Sequence, residues 1–202
     1  MYLTKKDIAE RISSTDKAKR IVIRPLLSEK DQLGEMTIDL RLGTDFLVSN
    51  FGRESSISVT GDEESRPFYS LFGETRRLIG QSFTFYPHQN VLCSTLEYIK
   101  LPNDVFLTLS PRSSYSRLGF NLSTIVQPGY CGCVSVELIN TGSVPVKVLT
   151  GARILQARLF KIDDGVEYFS TNRKYFCQVR PQLSKAGTEK DLAILRRMSG
   201  TH

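Results

Sequence analysis

Along the chain the spacing of apolar positions changes character twice. At the start, Ile8 and Ile12 recur at helical spacing behind Thr4, a good N-cap with Asp7 three residues on. That pattern predicts a short helix, ended by Ser13-Ser14-Thr15-Asp16. From Ile21 the chain becomes a series of short β-rich runs separated by turn residues, the pattern of a sandwich or barrel. Predicted strands cover residues 36–42, 46–50, 82–86, 90–96, 105–110, 132–140, 144–148 and 154–160. Residues 50–85 hold two polar, turn-rich clusters, Gly52-Arg53-Glu54-Ser55-Ser56 and Gly61 to Pro67, so a loop or small flap is expected there. Near the C-terminus Leu192, Leu195 and Met198 return to helical spacing, with Thr188 as the expected cap.

Composition narrows the class. The 202 residues, 40% apolar and 24% charged, are those of one folded domain with a real core. No apolar run approaches the ~18 residues of a membrane span, and the first residues lack the apolar stretch of an export signal. A cytoplasmic protein is therefore expected. Its four cysteines are then expected as reduced thiols, with Cys131-x-Cys133 in a strand and Cys93 and Cys177 alone. Two histidines leave few ligands for a structural zinc.

The net charge of +6 is concentrated at one end: residues 171–202 hold seven basic side chains against two acidic ones. A basic tail fits an anionic partner such as a polyphosphate, a nucleic acid or a membrane surface, and it equally fits a solvated terminal helix.

Two segments could carry chemistry. After the apolar run ending at Pro111 come Arg112, Ser113, Ser114 and Arg117. Proline cannot donate to a sheet, so the strand ends there, and a helical turn would put Ser113 and Arg117 on one face. Forked arginine donors with serine hydroxyls suit phosphate oxygens, and the same residues also suit a capped surface turn. In the strand 132–140, Val134, Val136 and Leu138 point one way while Ser135, Glu137 and Ile139 point the other. Glu137 is thus either on a solvated face or in a pocket where a carboxylate serves as acid and base.

At these segments the chain resembles the dCTP deaminase family, which shares the trimeric dUTPase fold. Five ordered motifs carry the resemblance: Thr37-Ile38-Asp39-Leu40-Arg41-Leu42-Gly43; Arg112-Ser113-Ser114-x-x-Arg117-Leu118-Gly119; Pro128-Gly129-Tyr130-x-Gly132 through Glu137 to Asn140; Gly151-x-x-Ile154-x-Gln156; and Lys174-Tyr175-x-x-Gln178.

The resemblance implies a mainly β, dUTPase-like distorted jelly roll or barrel with a short N-terminal and a C-terminal helix. It implies a β domain over residues 1–170 and a basic tail, 171–202, that closes over the nucleotide. It further implies a homotrimer with active sites at subunit interfaces, and no membrane or nucleic-acid partner. Ser113, Arg117 and Glu137 would be catalytic. Arg112, Ser114, Gln127, Gln156, Tyr168, Lys174, Tyr175 and Gln178 would bind the substrate.

The implied reaction is hydrolytic deamination of dCTP to dUTP and ammonia, with Mg2+ carried by the triphosphate and no protein-bound zinc. Zinc deaminases use H-x-E and P-C-x-x-C, whereas His88 here is followed by Gln89 and Asn90. The alternatives are a deaminase and diphosphatase that forms dUMP, or a catalytically altered nucleotide-binding protein. Gln127 stands where dUTPases carry the aspartate that directs water, and a neutral amide cannot be that base.

Overall fold

The computed structural model describes residues 1–50, 57–59, 68–166, 175, 177–189 and 191–198. Helix α1 (Lys5–Ser13) opens on the expected cap: Thr4 Oγ1 accepts from the Asp7 amide, and Asp7 Oδ2 accepts from the Thr4 amide at 2.8 Å. Those bonds hold the Asp7 carboxyl below the ordinary carboxylate range. Ile8 is fully buried, and Arg11 clamps Asp104 with two hydrogen bonds of 2.6 and 3.1 Å, so the helix is fixed to the β structure. A one-turn helix, α2 (Glu29–Gln32), follows it in the chain.

All eight predicted strands form, with ends shifted by a few residues. They are β2 (Ile38–Arg41), β3 (Asp45–Ser49), β5 (Ser82–Phe85), β6 (Asn90–Lys100), β7 (Val105–Pro111), β10 (Cys131–Asn140), β11 (Val146–Leu149) and β12 (Arg153–Lys161). Four others were not predicted: β1 (Val22–Arg24), β4 (Phe72–Arg76), β8 (Phe120–Asn121) and β9 (Thr124–Val126). They are too short, or in β4 too polar, to show an alternation; their partners make them strands. Within the expected excursion, β4 pairs with β3 and β5 pairs with β11.

Among the described residues the strands form a six-stranded sheet, β4-β3-β6-β10-β8 with β1 also on β6, a four-stranded sheet, β2-β12-β7-β9, and the pair β11-β5. This is the mainly β, distorted jelly roll that the resemblance implies. The inward positions of β7 and β10 alternate strictly and fill one core with Leu107, Leu109, Val134, Val136 and Leu138. Each such side chain contributes about 1.5–3 kcal/mol relative to exposure. A chain of rings crosses that core. Phe46 stacks on Phe83 at 4.0 Å, Phe83 meets Phe85 edge-on at 4.8 Å, and Phe85 meets Phe120 at 5.0 Å.

The C-terminal helix starts later than expected. Residues Ala186–Thr188 form a 3-10 turn in which Thr188 Oγ1 donates back to the Lys185 carbonyl at 2.8 Å, so its hydroxyl is spent there and caps nothing. Glu189 is extended, and α4 covers Leu192–Met198.

Candidate active site

Strand β7 ends at Pro111, and the next residue starts the turn. Arg112 keeps an extended backbone and donates its amide to the Ile154 carbonyl of β12 at 2.8 Å, which fixes where helix α3 (Ser113–Ser116) begins. The Arg117 amide reaches the Ser113 carbonyl at 3.1 Å, so Ser113 and Arg117 stand one helical turn apart, as the spacing predicts. The chain leaves through Gly119, whose φ of +95° is open to glycine, and an added Cβ would meet the Gly142 amide at 2.7 Å. The Gly119 carbonyl accepts from the Thr141 amide at 2.8 Å, which ties the turn to the end of β10. Phe120 then enters the core. Ser113, Ser114 and Arg117 remain exposed.

Below the turn lies a charged cluster whose pairing no sequence pattern indicated. Asp39 of β2 sits opposite Gln156 of β12, which in turn sits opposite Ser110 of β7. Arg112 Nε reaches over β12 to within 3.0 Å of Asp39 Oδ2, while its Nη1 donates to the Arg153 carbonyl at 3.0 Å. Arg153 Nη1 stands 3.8 Å from the same carboxylate, and Gln156 donates a hydrogen bond to it. Burial raises the Asp39 pKa and outweighs Arg112, Gln156 and Arg153, which act in the opposite direction. Arg112 and Gln156 are thus brought together on Asp39. The one available signal was an aspartate within the apolar run Ile38-Asp39-Leu40.

Glu137 projects from the face of β10 opposite Val136 and Leu138 and is exposed, which decides between the two sequence readings for the single chain. Among the described residues no hydrogen bond or ion pair joins its side chain to Ser113 or Arg117. Three residues on, Asn140 is fully buried, donating to the carbonyls of Phe85 at 3.1 Å and Val144 at 2.8 Å and accepting from the Gly142 amide. It is an anchor for this end of the strand.

The tail meets the same strand. The Cys177 amide donates to the Cys131 carbonyl at 3.0 Å, and the Cys133 amide donates to the Gln178 carbonyl at 2.7 Å. Ser135, the neighbour of Glu137 on its face, donates to Gln178 Oε1 at 3.1 Å. Gln178 is 4% exposed and its Nε2 has no partner among the described residues. Gly132 permits this approach, because a Cβ there would meet the Gln178 carbonyl oxygen at 2.7 Å. Tyr175 lies apart, its hydroxyl accepting from the Lys185 amide at 3.0 Å and its ring 5.3 Å below Lys185 Nζ. Gln127 is half-buried and its carbonyl accepts from the Tyr130 amide. Tyr168 and Lys174 lie outside the described residues.

Among the described residues no three His, Cys, Asp or Glu side chains converge as metal ligands, and no helix is long and apolar enough to cross a membrane. A cavity of about 370 Å3 between β3, β4 and β5 is lined by residues such as Thr75, Arg77, Tyr86 and Gln89 and includes none of the predicted site residues. It is an open surface hollow away from the chemistry described above.

The dCTP deaminase-like family profile matches residues 2–162. Over 191 residues the chain is 32% identical to a dUMP-forming dCTP deaminase of Dictyoglomus turgidum, covering 92% of this chain and 94% of that one. Over 200 residues it is 32% identical to a dCTP deaminase of Halorubrum lacusprofundi, covering 95% and 94%. In structure it is similar to the 2'-deoxycytidine 5'-triphosphate deaminase of Agrobacterium tumefaciens, with a TM-score of 0.57 and 20% identity over 78% of this chain, although it spans only 47% of that longer chain. Two near-full-length relatives at 32% identity and a profile that contains the α3 turn, the Asp39 cluster and Glu137 together decide the matter: the chain belongs to the dCTP deaminase-like family.

Proposed function

We propose that this protein deaminates dCTP to dUTP and ammonia. The observation that carries the reading is the family match from residue 2 to 162, which includes Ser113, Arg117 and Glu137, the three groups the reaction needs.

Water adds to C4 of cytosine, a tetrahedral carbon forms, and the C–N bond breaks as ammonia leaves. Glu137 takes the proton of the water and delivers it to the base; Ser113 holds the water; Arg117 orients and balances the carboxylate. Mg2+ arrives with the triphosphate as part of the substrate, as is common for an ion that keeps waters and phosphates as ligands. Lys174, Tyr175, Gln178 and Arg112 hold the phosphates, with Ser114.

The assembly is a homotrimer with sites at the junctions. Two features support this: Glu137, Ser113 and Arg117 are all exposed and unjoined within one chain, and Leu118, Ile125, Val144 and Leu149 expose more than half of their surface. A second copy would supply the missing half of each site and cover such residues.

A second reading, release of pyrophosphate to form dUMP, is favoured by the name of the Dictyoglomus turgidum relative. Gln127 speaks for dUTP, since its side-chain amide cannot take a proton from a hydrolytic water. Incubation of the full chain with dCTP and Mg2+, read for ammonia, pyrophosphate and the uracil nucleotide, separates the readings. Ammonia with dUTP supports the proposal, ammonia with pyrophosphate and dUMP selects the second reading, and no ammonia from any cytosine nucleotide overturns both.

A further inference from the structure

The tail and β10 meet at two thiols. Cys131 lies at the start of β10 and Cys177 in the tail, 46 residues on, with their sulfurs 2.7 Å apart. This is not a chance approach of two mobile side chains. Backbone bonds from Cys177 to Cys131 and from Cys133 to Gln178 clamp the two segments on both sides of the pair, and Gly132 leaves room for the tail backbone between them. Cys177 adopts a left-handed φ of +53°, a conformation rarely taken without glycine, which aims the chain back at the strand. It is exposed and Cys131 is half-buried, so a small oxidant reaches the pair from solvent.

The other two thiols are differently placed. Cys93 is fully buried in the core, and burial pushes its thiol far up. Cys133 lies one position along the same strand face, where burial first, then the charges of Glu97 and Asp45, raise its thiol. Neither has a sulfur partner among the described residues.

We infer that Cys131 and Cys177 form an oxidisable dithiol whose disulfide staples the C-terminal segment to β10. A disulfide needs sulfurs about 2.05 Å apart, so little movement beyond the side chains is required. With hydrogen peroxide as oxidant, one thiol becomes a sulfenic acid as the O–O bond breaks and water leaves. The second sulfur then attacks it, the S–S bond forms and a second water leaves. Two electrons pass from the two thiols to the peroxide, and their protons end in water. The bond to Cys131 and partial burial push the Cys177 thiol up to about 11, so the thiolate fraction is small at neutral pH and the reaction is slow there. Neither sulfur belongs to the deamination machinery, and the site stands whether or not that reading holds.

The test uses the full chain under native conditions, treated with hydrogen peroxide and then alkylated. Two of the four thiols disappear, and unreduced peptide mapping joins the tryptic peptide of residues 118–147 to that of 175–185. The same link forms in Cys133→Ser and is absent from Cys131→Ser and Cys177→Ser. Oxidised wild-type protein melts higher than reduced protein by roughly 8–16 °C, the scale expected for closing a long loop in a chain of this size, and Cys177→Ser shows no such rise. Retention of all four thiols, a link through Cys133, or links only between chains overturns the site. A Cys131–Cys177 link that leaves the midpoint unchanged overturns the staple.

Discussion

Asp39 Oδ2 lies 3.0 Å from Arg112 Nε, a bond that passes over β12 and fixes the residue immediately before the Ser113 turn. Asp39→Asn keeps the shape and removes the charge. It is expected to cost about 1.5–3 kcal/mol, the usual scale for hydrogen bonds to charged groups, and to lower turnover because the α3 turn loses its footing. Denaturant melts and steady-state kinetics on one preparation check both effects. Asp39→Glu, which restores the charge one methylene further out, should recover part of the loss; full wild-type kinetics in Asp39→Asn would show that the turn is held by the Ile154 carbonyl alone.

Glu137→Gln is expected to abolish deamination while preserving nucleotide binding, because an amide keeps the outline and cannot move a proton. Since one group serves both the addition and the elimination step, the loss should exceed the ~100–10,000-fold of ordinary acid–base catalysis. Calorimetric binding of dCTP beside an ammonia assay distinguishes the two effects, and near-normal turnover would reduce Glu137 to a solvated strand residue.

How far the sequence could lead depends on which physical signal each element leaves. Strands β7 and β10 alternate, β6 and β12 are long β-rich runs, and the Thr4 cap is local chemistry, so all of these were legible. Strand β8 has two residues and exists because Ile139 and Asn140 of β10 pair with it. Ser113 and Arg117 could be placed on one turn from spacing alone. The partnership of Asp39 with Arg112 could not, since it depends on β2 and β7 flanking the same strand, a fact of topology. Cys177 likewise read as solitary, because nothing local announces that the tail returns to Cys131.

Glu97 is fully buried, its carboxylate accepting from Gln32 Nε2 and from the Arg41 amide, both at 2.9 Å. Each oxygen thus faces a donor, so Glu97→Gln turns an N–H toward one of them and is expected to cost about 1–3 kcal/mol. Burial, its largest cause, raises the folded Glu97 pKa above the ordinary 4.5 despite those bonds. The contribution of the proton is therefore complete below 4.5 and is lost as pH rises through the raised value. Wild type should lose stability relative to the variant over that window. Denaturant titrations at a series of pH values would show the gap narrowing upward; a widening gap would mean that the bonds outweigh burial.

Chelation tests the metal reading. Treatment with a strong zinc chelator, followed by return of Mg2+ alone, should leave deamination intact if Glu137 rather than a metal-bound hydroxide activates the water. Activity that returns only with zinc would reject the proposed chemistry.

The tail separates assembly from phosphate binding. Its Cys177 and Gln178 are bonded to β10, while Arg180 Nε stands 3.7 Å from Asp45, so part of its basic character is already committed within the chain. Arg173 and Lys174 precede this docked segment in the sequence, and Lys174 is the cation proposed above for the triphosphate. A chain that ends before Thr171 should still form the proposed trimer yet bind dCTP far more weakly. Truncation also bares the β10 edge at Cys133, so the full-length double variant Lys174→Ala with Tyr175→Phe is the finer probe. Loss of one charged phosphate contact corresponds to about 1.5–3 kcal/mol, roughly a 10- to 150-fold weaker dCTP affinity. Light scattering should report a mass of three chains for each of the three proteins, the truncated trimer being lighter by its missing residues, and calorimetric titration should rank their affinities as wild type, double variant, truncation. Equal affinity in the truncated chain would make the tail a solvated appendage and leave the phosphates to Arg112, Ser113 and Ser114.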